Sequence, residues 1–350
     1  MKKIIYVLVV AALLAGCGQK TEVKTLPVEK AFALENISPA SNTAEACRLV
    51  DGMIYHYQNK GDKLYLFKTD PDGNQARIGV INKGKGPGEV LTPMAMRIYN
   101  GHIHIYDMMM HKIVEYTLDG KYVDEILVQG NVGYAHSFDM SADKYLFNGS
   151  LQTELAIVDR EGKIQKLVKY PDAQMMPDNG KPFPGGIMRY NPVTKRIMVG
   201  FYNAPYRLHF FDEEGNKIME KTYDIGRKVQ PCVWTLNYGG FPKGDFMVSG
   251  GVMYDKYFIA SPIGGYDIKD DAFVAIKHPL EIFIFDTETG KRTGILRLEG
   301  WDSFEGATVI GADGSYIYLV VNDETFKEKN QFSLDTAVAM IPNPLAKKAK

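Results

Sequence analysis

One unit recurs along the chain. An apolar strand runs into an acidic turn closed by glycine, and a second strand follows. Copies lie at 63–73, 112–120, 155–162, 207–215 and 281–290, ending on Gly73, Gly120, Gly162, Gly215 and Gly290. Glycine supplies the positive φ that such a turn needs, and the Asp side chain accepts from its own backbone. A second class of turn precedes each copy, at Asp51-Gly52, Asn100-Gly101, 141–144, 191–195 and Asp255-Lys256, and once more at Asp313-Gly314. Each separates a short strand from a stronger one.

Four strands per unit, recurring at roughly 40–60 residues, is the period of propeller blades. The expected fold is therefore all-β: a six-bladed β-propeller with four-stranded antiparallel blades. The 21 Tyr and 17 Phe suit strands, and no stretch holds a helical period. The last unit lacks its outer strand, since its third strand, near 337–341, runs into Pro342-Asn343-Pro344. Residues 28–35 supply the missing strand, so an N-terminal strand in the last blade closes the ring and removes its open edges.

The first residues read differently. Met1-Lys2-Lys3 is a positive start, and Ile4 to Leu14 is an apolar run too short to span a bilayer. Leu14-Ala15-Gly16-Cys17 follows and resembles the lipobox of bacterial lipoproteins. The expected divisions are a signal peptide at 1–16, a lipidated Cys17 with a polar tether at 17–27, the propeller at 28–344 and a basic tail at 345–350. Lipid chains on Cys17 bury enough methylenes to anchor the chain.

Lys+Arg 41 against Asp+Glu 42 leaves no basic excess for nucleic acid. Cys47 and Cys232 sit among apolar residues and are expected to be buried, unbonded thiols. Residues 81–89, INKGKGPGE, resemble the GPGE stretch of TolB-like six-bladed propeller lipoproteins of Bacteroidetes. With the lipobox and the repeat, that resemblance runs from Cys17 to about Pro344. It implies the fold and an envelope location, and no catalytic residue. The same glycines do not make a phosphate loop, because no Lys-Ser/Thr follows and Pro87 lacks an N–H.

Loop lengths are uneven. The long segments (80–93, 170–185, 224–245, 261–279, 301–306 and 322–336) all fall on the face opposite the short turns. They carry Phe183, Trp234, Tyr238, Phe241, Tyr266 and Trp301, with Phe273 beside them. Aromatic rings with polar handles form binding platforms, and they also plug channel mouths.

Chemistry is thin. No G-x-S-x-G or HExxH motif occurs. His102 and His104 share a strand face, Met108-Met109-Met110-His111 resembles a soft copper site, and Asp270-Asp271 resembles a calcium pair. Each has a bland structural reading that outweighs it, so no metal or cofactor is expected. Glu89, Asn148 and Asn203 fall on the face where some propellers hold a catalytic metal. The expectation is a non-enzymatic, lipid-anchored binding module for a protein, peptide or glycan. The alternatives are a calcium-dependent hydrolase or lyase and a structural accessory of an envelope complex. The membrane is the expected partner of the lipid, on the outer membrane with the domain in the periplasm and exposure at the cell surface as the alternative.

Overall fold

The structure, a computed structural model, describes residues 21–34, 43–132, 134–150, 153–169, 185–235, 241–301, 306–323 and 336–346, with 326 and 328. The statements below concern these residues. Cys17 and the expected signal peptide lie outside them.

Twenty-nine strands and one four-residue helix follow in order. Strands β1 (Glu22–Leu26) and β2 (Lys30–Ala33) come first, then α1 (Thr43–Ala46). Blade 1 is β3 (Cys47–Val50), β4 (Met53–Lys60), β5 (Lys63–Thr69) and β6 (Gln75–Asn82). Blade 2 is β7 (Pro93–Tyr99), β8 (His102–Asp107), β9 (Lys112–Thr117) and β10 (Tyr122–Leu127). Blade 3 is β11 (Tyr134–Met140), β12 (Lys144–Ser150), β13 (Thr153–Asp159) and β14 (Ile164–Lys169). Blade 4 is β15 (Gly186–Asn191), β16 (Arg196–Phe201), β17 (Tyr206–Phe211) and β18 (Lys217–Tyr223).

The second half is less regular. Strands β19 (Val233–Thr235) and β20 (Phe241–Phe246) precede blade 5, which opens with β21 (Gly251–Tyr254) and β22 (Tyr257–Ala260). Strands β23 (Gly264–Lys269) and β24 (Ala272–Ala275) interrupt it before β25 (Glu281–Asp286) and β26 (Arg292–Leu298). Blade 6 is β27 (Ala307–Ala312), β28 (Tyr316–Val321), β29 (Ala337–Pro342) and, as its outer strand, β2. The innermost strands β3, β7, β11, β15, β21 and β27 lie side by side, and β27 returns to β3. The molecule is the expected six-bladed propeller.

Its apolar core is not central. Six buried clusters each join one blade to the next, the last pairing Ile310, Tyr318 and Val338 of blade 6 with Cys47 and Ile54 of blade 1. Middle strands are covered on both faces, which is why β25, EIFIFD, is buried throughout. Outer strands such as β14 alternate half-buried and exposed.

The repeat glycines act at the rim. Gly120 has φ +78, and a Cβ there would lie 2.7 Å from the Ile78 carbonyl of blade 1's outer strand. Gly73 sits on Phe32, Gly162 on the Leu127 carbonyl, Gly215 on Ile157 and Gly290 on Met219. Each turn thus docks against the preceding blade, and a side chain would push the two apart.

Blade 6 has no such turn, because its outer strand is β2, which pairs antiparallel with β29 through Lys30↔Met340 to Ala33↔Ala337. The segment expected to be a polar tether over 17–27 is corrected here: Glu22–Leu26 forms β1. It pairs parallel with β26, Glu22↔Gly294 through Leu26↔Leu298. Its composition, EVKTL, gave little strand signal; the open edge of blade 5 decides its state by offering backbone partners. Residues 22–33 therefore strap blade 5 to blade 6 across the ring closure.

Candidate functional site

Two long segments expected to be loops fold into a seventh sheet. Its order is β19-β20-β23-β24. Strands β19 and β20 come from the connection between blades 4 and 5, and β23 and β24 from a loop inside blade 5. They join through Gly244↔Tyr266 to Phe246↔Gly264. The two loops therefore do share one face. Close approach requires glycine: a Cβ on Gly265 would lie 3.0 Å from Asp245 Cα.

Asp245 ties the two insertions together at the base of this sheet. Buried in β20, it accepts from Gln230 N at 2.6 Å and lies 2.8 Å from His278 Nε2. Met247 N donates to Tyr202 O at 3.0 Å, tying the end of β20 to blade 4. Phe246 then packs between Tyr202, at 5.5 Å between centroids, and Tyr266, at 5.9 Å. Burial first, then the nearby Glu45 carboxylate and Cys232, pushes the Tyr202 hydroxyl up. An aromatic row thus runs from the channel side to the surface.

The expected aromatic residues separate into two roles. Tyr266 is 45 % exposed, and Phe273 47 %, with Val274 beside it at 39 %. Both tryptophans are corrected: neither indole is offered as a platform. Trp234 is 7 % exposed and clusters with Cys232, Tyr202 and Phe246 under the seventh sheet. Trp301 is equally buried, 4.9 Å from Phe326, in the layer between blades 5 and 6. Burying a large ring outweighs presenting it where a neighbouring layer is available. One edge of Trp301 does line a cavity of about 420 Å³ with Pro27, Glu29, Lys30 and Glu299. Phe241 lies in β20; Phe183 and Tyr238 lie outside the described residues.

The centre of the ring is charged. Glu45, on α1, is fully buried. Its Oε2 lies 2.5 Å from Arg97 Nη2 and 3.2 Å from Arg48 Nη2, and its Oε1 lies 2.7 Å from Arg189 Nη2. Ser137 Oγ donates to the same oxygen at 3.3 Å and accepts from Met188 N at 3.1 Å. Arg97 Nε is 3.3 Å from Asp139. Blades 1 to 4 thus meet on one carboxylate. Sequence reading missed it, because Arg97 and Arg189 are single charges in unrelated strands; a lone Arg inside an otherwise buried inner strand was the available signal.

The remaining candidates are structural. Glu89 accepts from Gly86 N at 2.9 Å and closes the glycine turn. The Asn148 amide donates to Glu154 O at 2.7 Å. Asp270 and Asp271 have φ +50 and +62, the left-handed pair that closes the β23–β24 hairpin. Met109 N and Met110 N donate to Asp107 Oδ1, which shapes that loop. His102 lies 2.9 Å and His104 3.9 Å from Glu115. Burial, then Arg160, pulls His104 down to about 4. Among the described residues no group of three His, Cys, Asp or Glu could hold a metal ion. Cys47 and Cys232 are free and buried; burial pushes the Cys232 thiol up to about 12.

Comparison with known proteins agrees with this architecture. The model of a family described as a 6-bladed beta-propeller, DUF5128, matches residues 43–177, which include the GPGE stretch. A member of the DUF4221 family from Bacteroides vulgatus is similar in structure, with a TM-score of 0.60 and 13 % identity over 92 % of this chain and 99 % of that one. A protein of Bacteroides fragilis, named as exported by inference, gives 0.51 and 12 % over 93 % and 99 %. No curated protein matches in sequence. At these identities the likeness shows the fold.

Proposed function

We propose that this chain is a lipid-anchored envelope protein whose seventh sheet binds a protein, peptide or glycan partner. The observation that carries the reading is the convergence of two long insertions, from different parts of the ring, into one braced sheet. That sheet exposes Tyr266, Phe273 and Val274. A ring closes without such insertions, and exposed aromatic residues on a rigid support are what an interface needs. The lipobox-like Cys17 and the export named for the Bacteroides fragilis relative support the envelope location. The TolB-like lipoprotein resemblance supports it too. No observation favours hydrolysis, since Asn148 and Glu89 are engaged in the scaffold.

Cross-linking in cells, followed by partner identification, tests the reading. A specific partner is expected, and its yield falls at least several-fold when Tyr266 and Phe273 are both replaced by Ala. A partner captured equally by that variant, or no partner at all, overturns it.

A further inference from the structure

We infer that the rim at blades 4 and 5 faces the lipid surface, so that the disc stands on edge with both faces open. This rests on the proposed lipid at Cys17. Four residues, Gly18 to Thr21, separate that cysteine from Glu22, where β1 begins. Even fully extended, five steps of chain reach only about 17 Å. The anchor therefore holds whatever surrounds Glu22 close to the bilayer.

What surrounds it is rim. Glu22 lies opposite Gly294 on the outermost strand pair of blade 5. Outer strands run along the circumference, because each ends against the next blade: Arg292 Nη1 donates to Asp224 O at 2.8 Å, just past β18. Gly290 likewise sits on Met219 and Lys221.

The exposed and half-exposed side chains there carry both signs. Lys24, Lys217, Lys221, Lys291, Arg292 and Arg297 lie there with Glu22, Glu220, Asp224, Glu288 and Glu299, and Arg297 is held by Glu281 at 2.8 Å. Among the described residues Lys221 and Lys291 form no ion pair. Val23 and Ile218, 47 % and 46 % exposed, place aliphatic groups among them. Cations near an acyl anchor add to its hold on an anionic surface. Blade 2, with Leu127, lies on the opposite rim.

Photo-cross-linking decides it. A mature chain starting at Cys17 is coupled through that thiol to a maleimide lipid, which leaves the buried Cys47 and Cys232 unmodified. It is bound to vesicles containing phosphatidylglycerol. A benzophenone amino acid replaces Ile218, Leu127, Val193 or Phe273, which mark the near rim, the far rim, the short-turn face and the long-loop face. Lipid adducts are expected from position 218 at several times the yield of the other three. Equal yields, or a higher yield from 193, 273 or 127, overturn the orientation. The chemical coupling makes this independent of processing in cells. Membrane fractionation of the native chain against Cys17→Ala tests the lipid reading separately.

Discussion

Oε1 of Glu45 lies 2.7 Å from Nη2 of Arg189, so that blade 1 and blade 4, on opposite sides of the ring, are joined through its centre. The apolar layers hold only neighbouring blades together. The carboxylate does what they cannot, because one small group reaches several blades at once. Its environment is costly for charge: burial holds the Arg97 guanidinium below its ordinary value, and the Glu45 carboxylate offsets only part of that. Such a pair is worth little against a well-packed apolar centre, yet breaking it leaves uncompensated charge.

Glu45→Gln therefore removes the charge and keeps the shape, leaving buried guanidinium groups facing one another. A loss of about 3–5 kcal/mol is expected in urea unfolding. In a double-mutant cycle with Arg189→Met, the two losses should fall short of adding, with a coupling of about 0.5–3 kcal/mol. Simple additivity would show that the two side chains do not act together.

The turn glycines separate backbone strain from packing. Gly101 and Gly120 both have positive φ, +73 and +78. A Cβ at Gly101 meets nothing within 4 Å, whereas one at Gly120 lies 2.7 Å from the Ile78 carbonyl and 2.8 Å from Gly79 Cα. Gly101→Ala should cost about 1 kcal/mol, the price of the left-handed backbone alone. Gly120→Ala should cost about 3 kcal/mol or more, because two blades must separate. Chemical denaturation of both variants reads the difference, and equal losses would refute the docking role.

Those glycines also show what was legible in the sequence and why. The unit ending on Gly73, Gly120, Gly162, Gly215 and Gly290 is local, so its strands, turns and blade count could be read directly. The closing strand β2 followed from counting a missing partner. The interactions that shape the candidate site are not local. Strand β1 exists because blade 5 has an open edge, and the seventh sheet exists because two distant loops meet. Trp234 and Trp301 looked like platforms for the same reason: their sequence neighbourhoods do not reveal the layers that cover them. Glu45 itself gave no signal, and the lone arginines of the inner strands that could have pointed to it come from three separate strands.

His104 predicts a pH dependence. Its ring is buried and its folded pKa lies near 4, below the usual value of 6.5. The unfolded chain then binds more protons than the folded one between those values. Stability is unaffected well above pH 6.5 and falls as pH drops from 6.5 toward 4. The groups facing it are Arg160 and His102, which disfavour the proton, and Glu115 at 3.9 Å. Between pH 6.5 and 5 the loss attributable to His104 is about 2 kcal/mol at most. His104→Gln should flatten that part of the stability profile. An unchanged slope in the variant would assign the pH dependence elsewhere.

Asp245 holds the seventh sheet, and its removal should act there alone. Its carboxylate is buried, engages Gln230 N at 2.6 Å and lies 2.8 Å from His278. Asp245→Ala leaves both without that partner, while the six interblade layers, which carry the ring, are untouched. Amide exchange should accelerate in β19, β20, β23 and β24 and stay unchanged in blades 1 to 3, because local opening costs less than global unfolding. The proposed partner should be captured less well even though the ring remains folded. If protection is lost evenly around all six blades, the sheet is part of the cooperative core rather than a braced addition to it.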